Sequence, residues 1–286
     1  MQSTVNPGIG GARHAWQLIK EVALRMQRHN SALVASGIAM YAMLSVFPGL
    51  SAAVLIYGLF ATPTAVNQQL QVFAGVLPPA VWGLLSTQLQ QVAAHDHRTL
   101  TVAALLGLLF ALWSARLTMS ALMTATNIAT EIEERRGLLT HIALSIVLTL
   151  GLIIGFLVML LVGVLVPLLL TALGTNSWVQ LLMNVIRWLM LWGFAVLGLA
   201  LIYHFAPARR HIHWRCLTWG ATLAATFWLL SSGALSLYVT SFPGYDRIYG
   251  TLAGVMVLLM WFYLLSFSVV LGAEVNSVVS ARLRAC

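Results

Sequence analysis

Apolar positions in this chain gather into six long runs, about 31–61, 100–123, 138–173, 178–205, 217–239 and 250–280. A bilayer core of about 30 Å needs about 20 apolar residues in helix, and every run supplies them. The last is the clearest: from Gly250 to Ala273 it carries no charge, and then Glu274 and Asn276 appear. The pattern predicts an all-α polytopic membrane protein with six transmembrane helices. Before the first run, Trp16, Ile19, Ala23 and Met26 recur at helical spacing, with Glu21, Arg25 and Arg28 on another face. That periodicity predicts an amphipathic helix from Ala15 to His29. It lies either along a leaflet surface or against its own bundle. Residues 1–12, with Pro7 and three glycines, read as a tail.

Between the first two runs, Thr62 to Arg98 is polar but almost uncharged. Gln68, Gln69, Gln71, Gln88, Gln90 and Gln91 alternate with apolar residues, and Pro63 and Pro78-Pro79 stand where helices start. Two short outer amphipathic helices are predicted there. The His95-Asp96-His97-Arg98 cluster at their end reads as a solvated loop, because no third ligand pattern completes a metal site. Within the first run, Pro48 predicts a kink about 25 Å from Ser31 at 1.5 Å per residue. Tyr41, Ser45 and Pro48 then suggest either a broken-helix binding site or an ordinary proline kink. Gly151 and Gly155 in the third run form a GxxxG, a weak signal of close helix approach.

Composition fits this picture: 60% of the residues are hydrophobic and 8% charged, with mean hydropathy +0.91. Soluble domains are nearer 25% charged. A net charge of +8 would suggest nucleic acid in a soluble protein. Here position explains it. Eleven basic residues (Arg13, Lys20, Arg25, Arg28, Arg135, Arg136, Arg209, Arg210, Arg215, Arg282, Arg284) fall in segments on the side of the two termini, against Arg98 and Arg247 on the other. Basic residues collect on the cytoplasmic side, so both termini are expected in the cytoplasm, with residues 1–30 and 281–286 flanking a membrane domain over 31–280. Cys216 and Cys286 suggest neither a disulfide framework nor a zinc site, and residues 1–30 show no cleavable signal peptide.

Ionisable groups inside spans cost about 2.5–3.5 kcal/mol each at the bilayer centre, so they default to functional candidates. There are three: Arg116, Arg187 and Glu274. Arg116 and Glu274 read as sharing one depth, where they would pair as a gate or clamp, or as a plain structural ion pair, with Asn276 nearby. Alternatively Arg116 snorkels to the headgroups. Arg187 lies about 14 Å into the fourth span counted from Trp178, too deep to snorkel, and is expected to face the bundle interior or a wet cavity. The helix of the second span is expected to continue beyond it to Arg136, and Asn127, Glu131, Glu134, Arg135 and Arg136 there form a charged turn, read as topological or helix-capping. His204, His211 and His213 read as interfacial residues rather than metal ligands.

YAMLSVFPGL in the first span, LWSARLTMSALMTATNIATEIEERRG after the second, and YGTLAGVMVLLMWFYLLSFSVVLGAEVNS in the sixth resemble the YihY/BrkB family of bacterial inner-membrane proteins over roughly 30–280. The resemblance implies six transmembrane helices and an inner-membrane location. It carries no settled activity: older labels include ribonuclease BN and virulence factor, and some members look linked to envelope lipid handling. Two readings of function stand beside each other. One is a transporter or lipid-handling protein for an anionic lipid or organic anion; the other is a non-catalytic scaffold or envelope assembly factor. Ribonuclease activity is not expected, because phosphodiester hydrolysis needs clustered carboxylates or histidines and the chain has seven acids, three of them in one turn. The expected partners are membrane lipids and no nucleic acid, and no cofactor or metal is expected.

Overall fold

The computed structural model describes residues 7–60, 97–172, 177–208, 214–241 and 252–285. Seven helices follow in order: α1 Pro7–Arg28, α2 Ser31–Phe60, α3 His97–Ala129, α4 Leu138–Ala172, α5 Ser177–Phe205, α6 Trp214–Ser241 and α7 Ala253–Ala285. The described residues contain no strand, and α2 to α7 are each long and apolar enough to cross a membrane. The predicted outer helices lie outside the described residues, as do His95 and Asp96, the turn at 242–251 and His211 and His213.

Six membrane helices place α1 and the end of α7 at the same end of the bundle, the terminal face. Each span packs on its neighbours in sequence, α7 closes the ring against α2, and α3 reaches across to α7. The core is not spread evenly. It is built from Ala35 and Ile38 at the start of α2, Met119 to Ala129 at the end of α3, Ala200 to Ala206 at the end of α5, Ala221 near the start of α6, and Val269 to Ala273 late in α7. All of these lie toward the terminal face. Toward the far face α4 and α5 bury little, and Leu181, Leu182, Ile186, Trp188 and Leu189 on α5 are all exposed. Such surfaces suit lipid.

Small residues make the tight half possible, as membrane helix interfaces favour them. At Gly220 on α6 and Gly272 on α7 the backbones nearly touch: a Cβ on Gly272 would sit 2.6 Å from the Gly220 carbonyl oxygen and 2.8 Å from Ala224 Cβ, and would overlap the Tyr203 hydroxyl. The GxxxG expectation is overturned, because nothing lies within 4 Å of a Cβ on Gly151 or Gly155. Among the described residues no other helix comes close at these two positions, so these glycines bring nothing together.

Two helix ends use left-handed residues. Asn30 has φ 51° and joins α1 to α2; its carbonyl accepts the amides of Leu33 and Val34, which makes it the N-cap of α2. Asparagine tolerates this conformation better than most residues. Glu131, with φ 55°, ends α3. Ile132 donates to the Asn127 carbonyl and Glu131 to that of Ile128, the Schellman pattern, in which glycine is usual at the Glu131 position. α3 therefore stops at Ala129 and does not continue to Arg136. At the other extreme α1 begins at Pro7 rather than Ala15, with proline in a position that suits a first helical turn.

Candidate functional site

The terminal face gathers most of the described charge. α1 lies on α7 through polar ties: Arg25 Nη1 donates to Ser277 Oγ at 3.0 Å, and Arg282 Nη2 to Glu21 Oε2 at 2.8 Å. Next to the Asn30 turn, His29 Nδ1 stands 2.7 Å from Glu274 Oε1, and Ser31 donates to the same oxygen at 3.4 Å. The other face of His29 looks to Glu131, with Nε2 3.6 Å from Oε1, and Arg25 is 3.7 Å from that carboxylate. Glu274 is fully buried, and its Oε2 has no hydrogen-bond partner. So the predicted amphipathic helix packs on its own bundle along one face, while Trp16, Ile19 and Leu24 remain exposed on the other.

Beside this junction a cavity of about 20 Å³ is lined by Thr126, Thr130, Tyr203, Asn276, Ser277 and Ser280 among others. That is room for a single water. Asn276 is buried, and its Oδ1 accepts the Gly220 amide at 2.9 Å. It helps to hold α6 against α7.

The charged turn after α3 does a structural job. The Arg136 guanidinium donates to the carbonyls of Phe205, Ala206 and Pro207, the end of α5. A cation there complements the helix dipole and the unpaired carbonyls. Asn127 completes the tie: its Nδ2 donates to Glu134 at 2.9 Å, and its Oδ1 accepts the Ala208 amide at 3.0 Å. Partial burial pushes the Glu134 carboxyl up. The Arg136 amide, the Asn127 amide, the Arg136 guanidinium and His141 outweigh that and hold it below its ordinary value. Arg135 only approaches Glu133, both fully in solvent.

The expectation that Arg116 and Glu274 share a depth is overturned. Glu274 is level with the opening of α2 and close to Glu131, just past the end of α3. Arg116 lies 13 residues before Ala129, about 20 Å higher at 1.5 Å per residue. It occupies the middle of the apolar stretch Leu105–Ala129. Arg116 is 8% exposed, and its Nε and Nη1 are buried without a hydrogen-bond partner. Among the described residues, its guanidinium lies over the Trp113 ring, 4.5 Å from guanidinium carbon to centroid.

Arg187 stands about 15 Å from the start of α5. It is partly exposed, its Nε is buried without a partner, and it lies 5.7 Å from the Trp188 ring centroid. Its neighbours in sequence face outward, so α5 offers it no enclosing interior.

The broken-helix grouping does not assemble. α2 runs through Pro48 without interruption. Tyr41 is 42% exposed, and Ser45 donates to the Ala42 carbonyl of its own helix at 2.7 Å.

Several residues at these sites carried no sequence signal. His29 sat at the edge of the amphipathic pattern, and nothing local pointed to Glu274. His141 on α4 bonds Ser120 on α3 through Nε2 at 2.9 Å, with Nδ1 3.4 Å from Glu134. Tyr203 donates to the Val269 carbonyl at 2.7 Å. The one available clue was that His141 and Tyr203 are polar groups inside apolar runs.

The comparisons with known proteins agree with this architecture. The chain matches the family described as Virulence factor BrkB over residues 22–285. It is 28% identical over 275 residues to the "Putative ribonuclease-like protein YfkH" of Bacillus subtilis, covering 92% of this chain and 95% of that protein. Shorter stretches are similar to proteins named "UPF0761 membrane protein": 42% over 94 residues in Vibrio parahaemolyticus and 37% over 81 residues in Vibrio cholerae. Those two stretches cover 32% and 28% of this chain, and 29% and 27% of the relatives. No solved structure matches. The family match begins in α1 and runs to the last residue of α7, taking in all six spans and the polar junction at the terminal face, so the chain belongs to the BrkB family of membrane proteins.

Proposed function

We propose that this chain is an inner-membrane protein that handles an anionic lipid or organic anion, with both termini in the cytoplasm. The observation that carries the reading is the state of Arg116 and Arg187. Both lie at membrane depth, both have buried guanidinium nitrogens without hydrogen-bond partners, and neither has a carboxylate within 4 Å among the described residues. The arginines at the terminal face differ: Arg25, Arg135, Arg136 and Arg282 each have a partner. A cation held in low dielectric without a counter-charge favours an incoming anion. The planar guanidinium fork suits phosphate or carboxylate.

The second reading, a scaffold or assembly factor, draws on the packing. The terminal half is filled by small residues, and the cavity inside it holds no more than a water. On that reading the arginines only fix helix positions. The ribonuclease-like name of the Bacillus subtilis relative suggests no chemistry here. Among the described residues, no three His, Cys, Asp or Glu side chains are placed to hold one metal ion.

The two readings separate in lipid. The wild type and an R116Q/R187Q double variant are purified into nanodiscs of mixed zwitterionic and anionic lipid, and the retained lipid is measured by native mass spectrometry. An excess of anionic lipid or a co-purified organic anion on the wild type, lost in the double variant, supports anion handling. Equal, unselective lipid on both supports the scaffold.

A further inference from the structure

The two most buried residues of α4 are polar. Among its described residues only Ser145 and Thr149 are buried, at 0% and 5% exposure, while the leucines, isoleucines and valines around them face outward or lie part-buried. A helix dissolved in lipid ordinarily packs through small or apolar side chains. Here His141, Ser145 and Thr149, spaced by four, share one side of the helix, flanked by Leu144 and Leu148, which lie part-buried against the core.

The hydrogen bond between Ser120 and His141 turns that stripe toward α3 and fixes the register. The two helices are consecutive spans and run antiparallel. Four residues back along α3 from Ser120 is Arg116; four residues on along α4 from His141 is Ser145. Arg116 thus comes level with Ser145, and Trp113, a turn further, lies between the levels of Ser145 and Thr149. The α3–α4 seam carries a line of polar groups from the terminal face toward the middle of the bundle, beside the apolar packing of Leu144 and Leu148, and Arg116 is its inner end.

Arg116 is more than nine-tenths buried and has two nitrogens without partners. The two hydroxyls do not serve it. Ser145 donates to the Ile142 carbonyl and Thr149 to the Ser145 carbonyl, so each is satisfied on its own helix. Both keep lone pairs, and both can swing to donate. Trp113, against which the guanidinium lies, is 54% exposed, so the seam has a side open to lipid beside the cation. A small-residue packing seam would account for Ser145 and Thr149 alone. It would not account for an unpaired cation at the same level.

We propose that the α3–α4 seam is a binding site for a phosphate group, with Arg116 as its donor and the stripe His141–Ser145–Thr149 as its opposite wall. The group enters from the side, past Trp113, which suits the headgroup of an anionic phospholipid. A free phosphate would use the same donors. The inference rests on the anion-handling reading and names its site.

The test uses the full chain in phosphatidylcholine nanodiscs, wild type against R116Q, R187Q and the seam-filling pair S145L/T149L. One arm titrates phosphatidylglycerol and follows it by native mass spectrometry; the other adds radiolabelled inorganic phosphate in equilibrium dialysis. Thermal melting of each variant is measured alongside. A loss of tenfold or more in phosphatidylglycerol affinity for both R116Q and S145L/T149L, with R116Q melting no lower than wild type, supports the site and a lipid source. The same loss confined to the inorganic phosphate arm supports the site and a soluble source. Undiminished binding in R116Q overturns the site. If R187Q alone weakens binding, the site falls while anion handling stands. If the wild type binds neither probe, both fall together.

Discussion

At the scale of single residues, the tightest constraint in the molecule is a missing side chain. Gly272 lies where α7 meets both α6 and the Tyr203 hydroxyl, and two of the atoms that a Cβ would meet are the Gly220 carbonyl oxygen and Ala224 Cβ, which cannot swing away. Gly272→Ala would push the helices apart and break the bond from Tyr203 to the Val269 carbonyl. Overpacking of this kind costs about 1–3 kcal/mol and a lost hydrogen bond about 1, so the variant is expected to lose about 3 kcal/mol. Gly151→Ala is the control, because nothing lies near its added methyl. Thermal melting in detergent compares them. A G272A protein that melts with G151A and wild type would show that the close approach is not a constraint. Neither Gly220 nor Gly272 announced itself in the sequence. Each is one among 22, on separate helices, and only the crossing brings them together.

At the scale of elements, two polar ties decide how helices end and dock. Glu131 holds a left-handed conformation that costs a non-glycine residue about 1–2 kcal/mol. In return its carboxylate reaches Arg25 and His29 from 54% exposure, a kind of pairing usually worth about 0–1 kcal/mol. The side chain therefore gives back less than the backbone loses. Glu131→Gly is expected to melt at or above the wild-type temperature, and Glu131→Ala below it. A glycine variant clearly less stable than wild type would mean that the carboxylate anchors α1 more strongly than an exposed pair should. The second tie, through Asn127, Glu134 and Arg136, carries a pH dependence. The folded-state pKa of Glu134 lies below its ordinary 4.5, so its stabilising contribution is complete above pH 4.5 and fades as pH falls through the lower folded value. Hydrogen-exchange protection of the Ala206 and Ala208 amides, taken relative to the intrinsic rate at each pH, should fall over that acid window in wild type. In Glu134→Gln it should already be reduced at neutral pH and change less on acidification. Protection at Ala208 that is the same at every pH and in both proteins would sink this account.

At the scale of the whole molecule, the six spans were legible because an unbroken apolar run is the strongest signal a sequence offers. The three-dimensional partners were not. Glu274 and Arg116 looked level because depth was counted from a membrane span ending at Met123, and because His29 had no visible claim on Glu274. The hydroxyl stripe on α4 was hidden inside a run so apolar that serine and threonine looked incidental. Orientation remains a matter of charge. Of the basic residues outside the spans, eleven belong to segments on the side of the termini and Arg98 and Arg247 to the other. Three described members of the larger group are held in polar contacts at the terminal face: Arg25 with Glu131, Arg136 with the end of α5, Arg282 with Glu21. A face built from so many fixed cations is costly to carry across a membrane, which is the physical content of the positive-inside rule. Alkaline phosphatase fused after Cys286 is therefore expected to be inactive and a fluorescent protein at the same position bright, while alkaline phosphatase inserted between residues 242 and 250 is expected to be active. The reverse pattern would turn the bundle over. It would place the His29–Glu274 junction on the outer side and leave the basic cluster without its explanation.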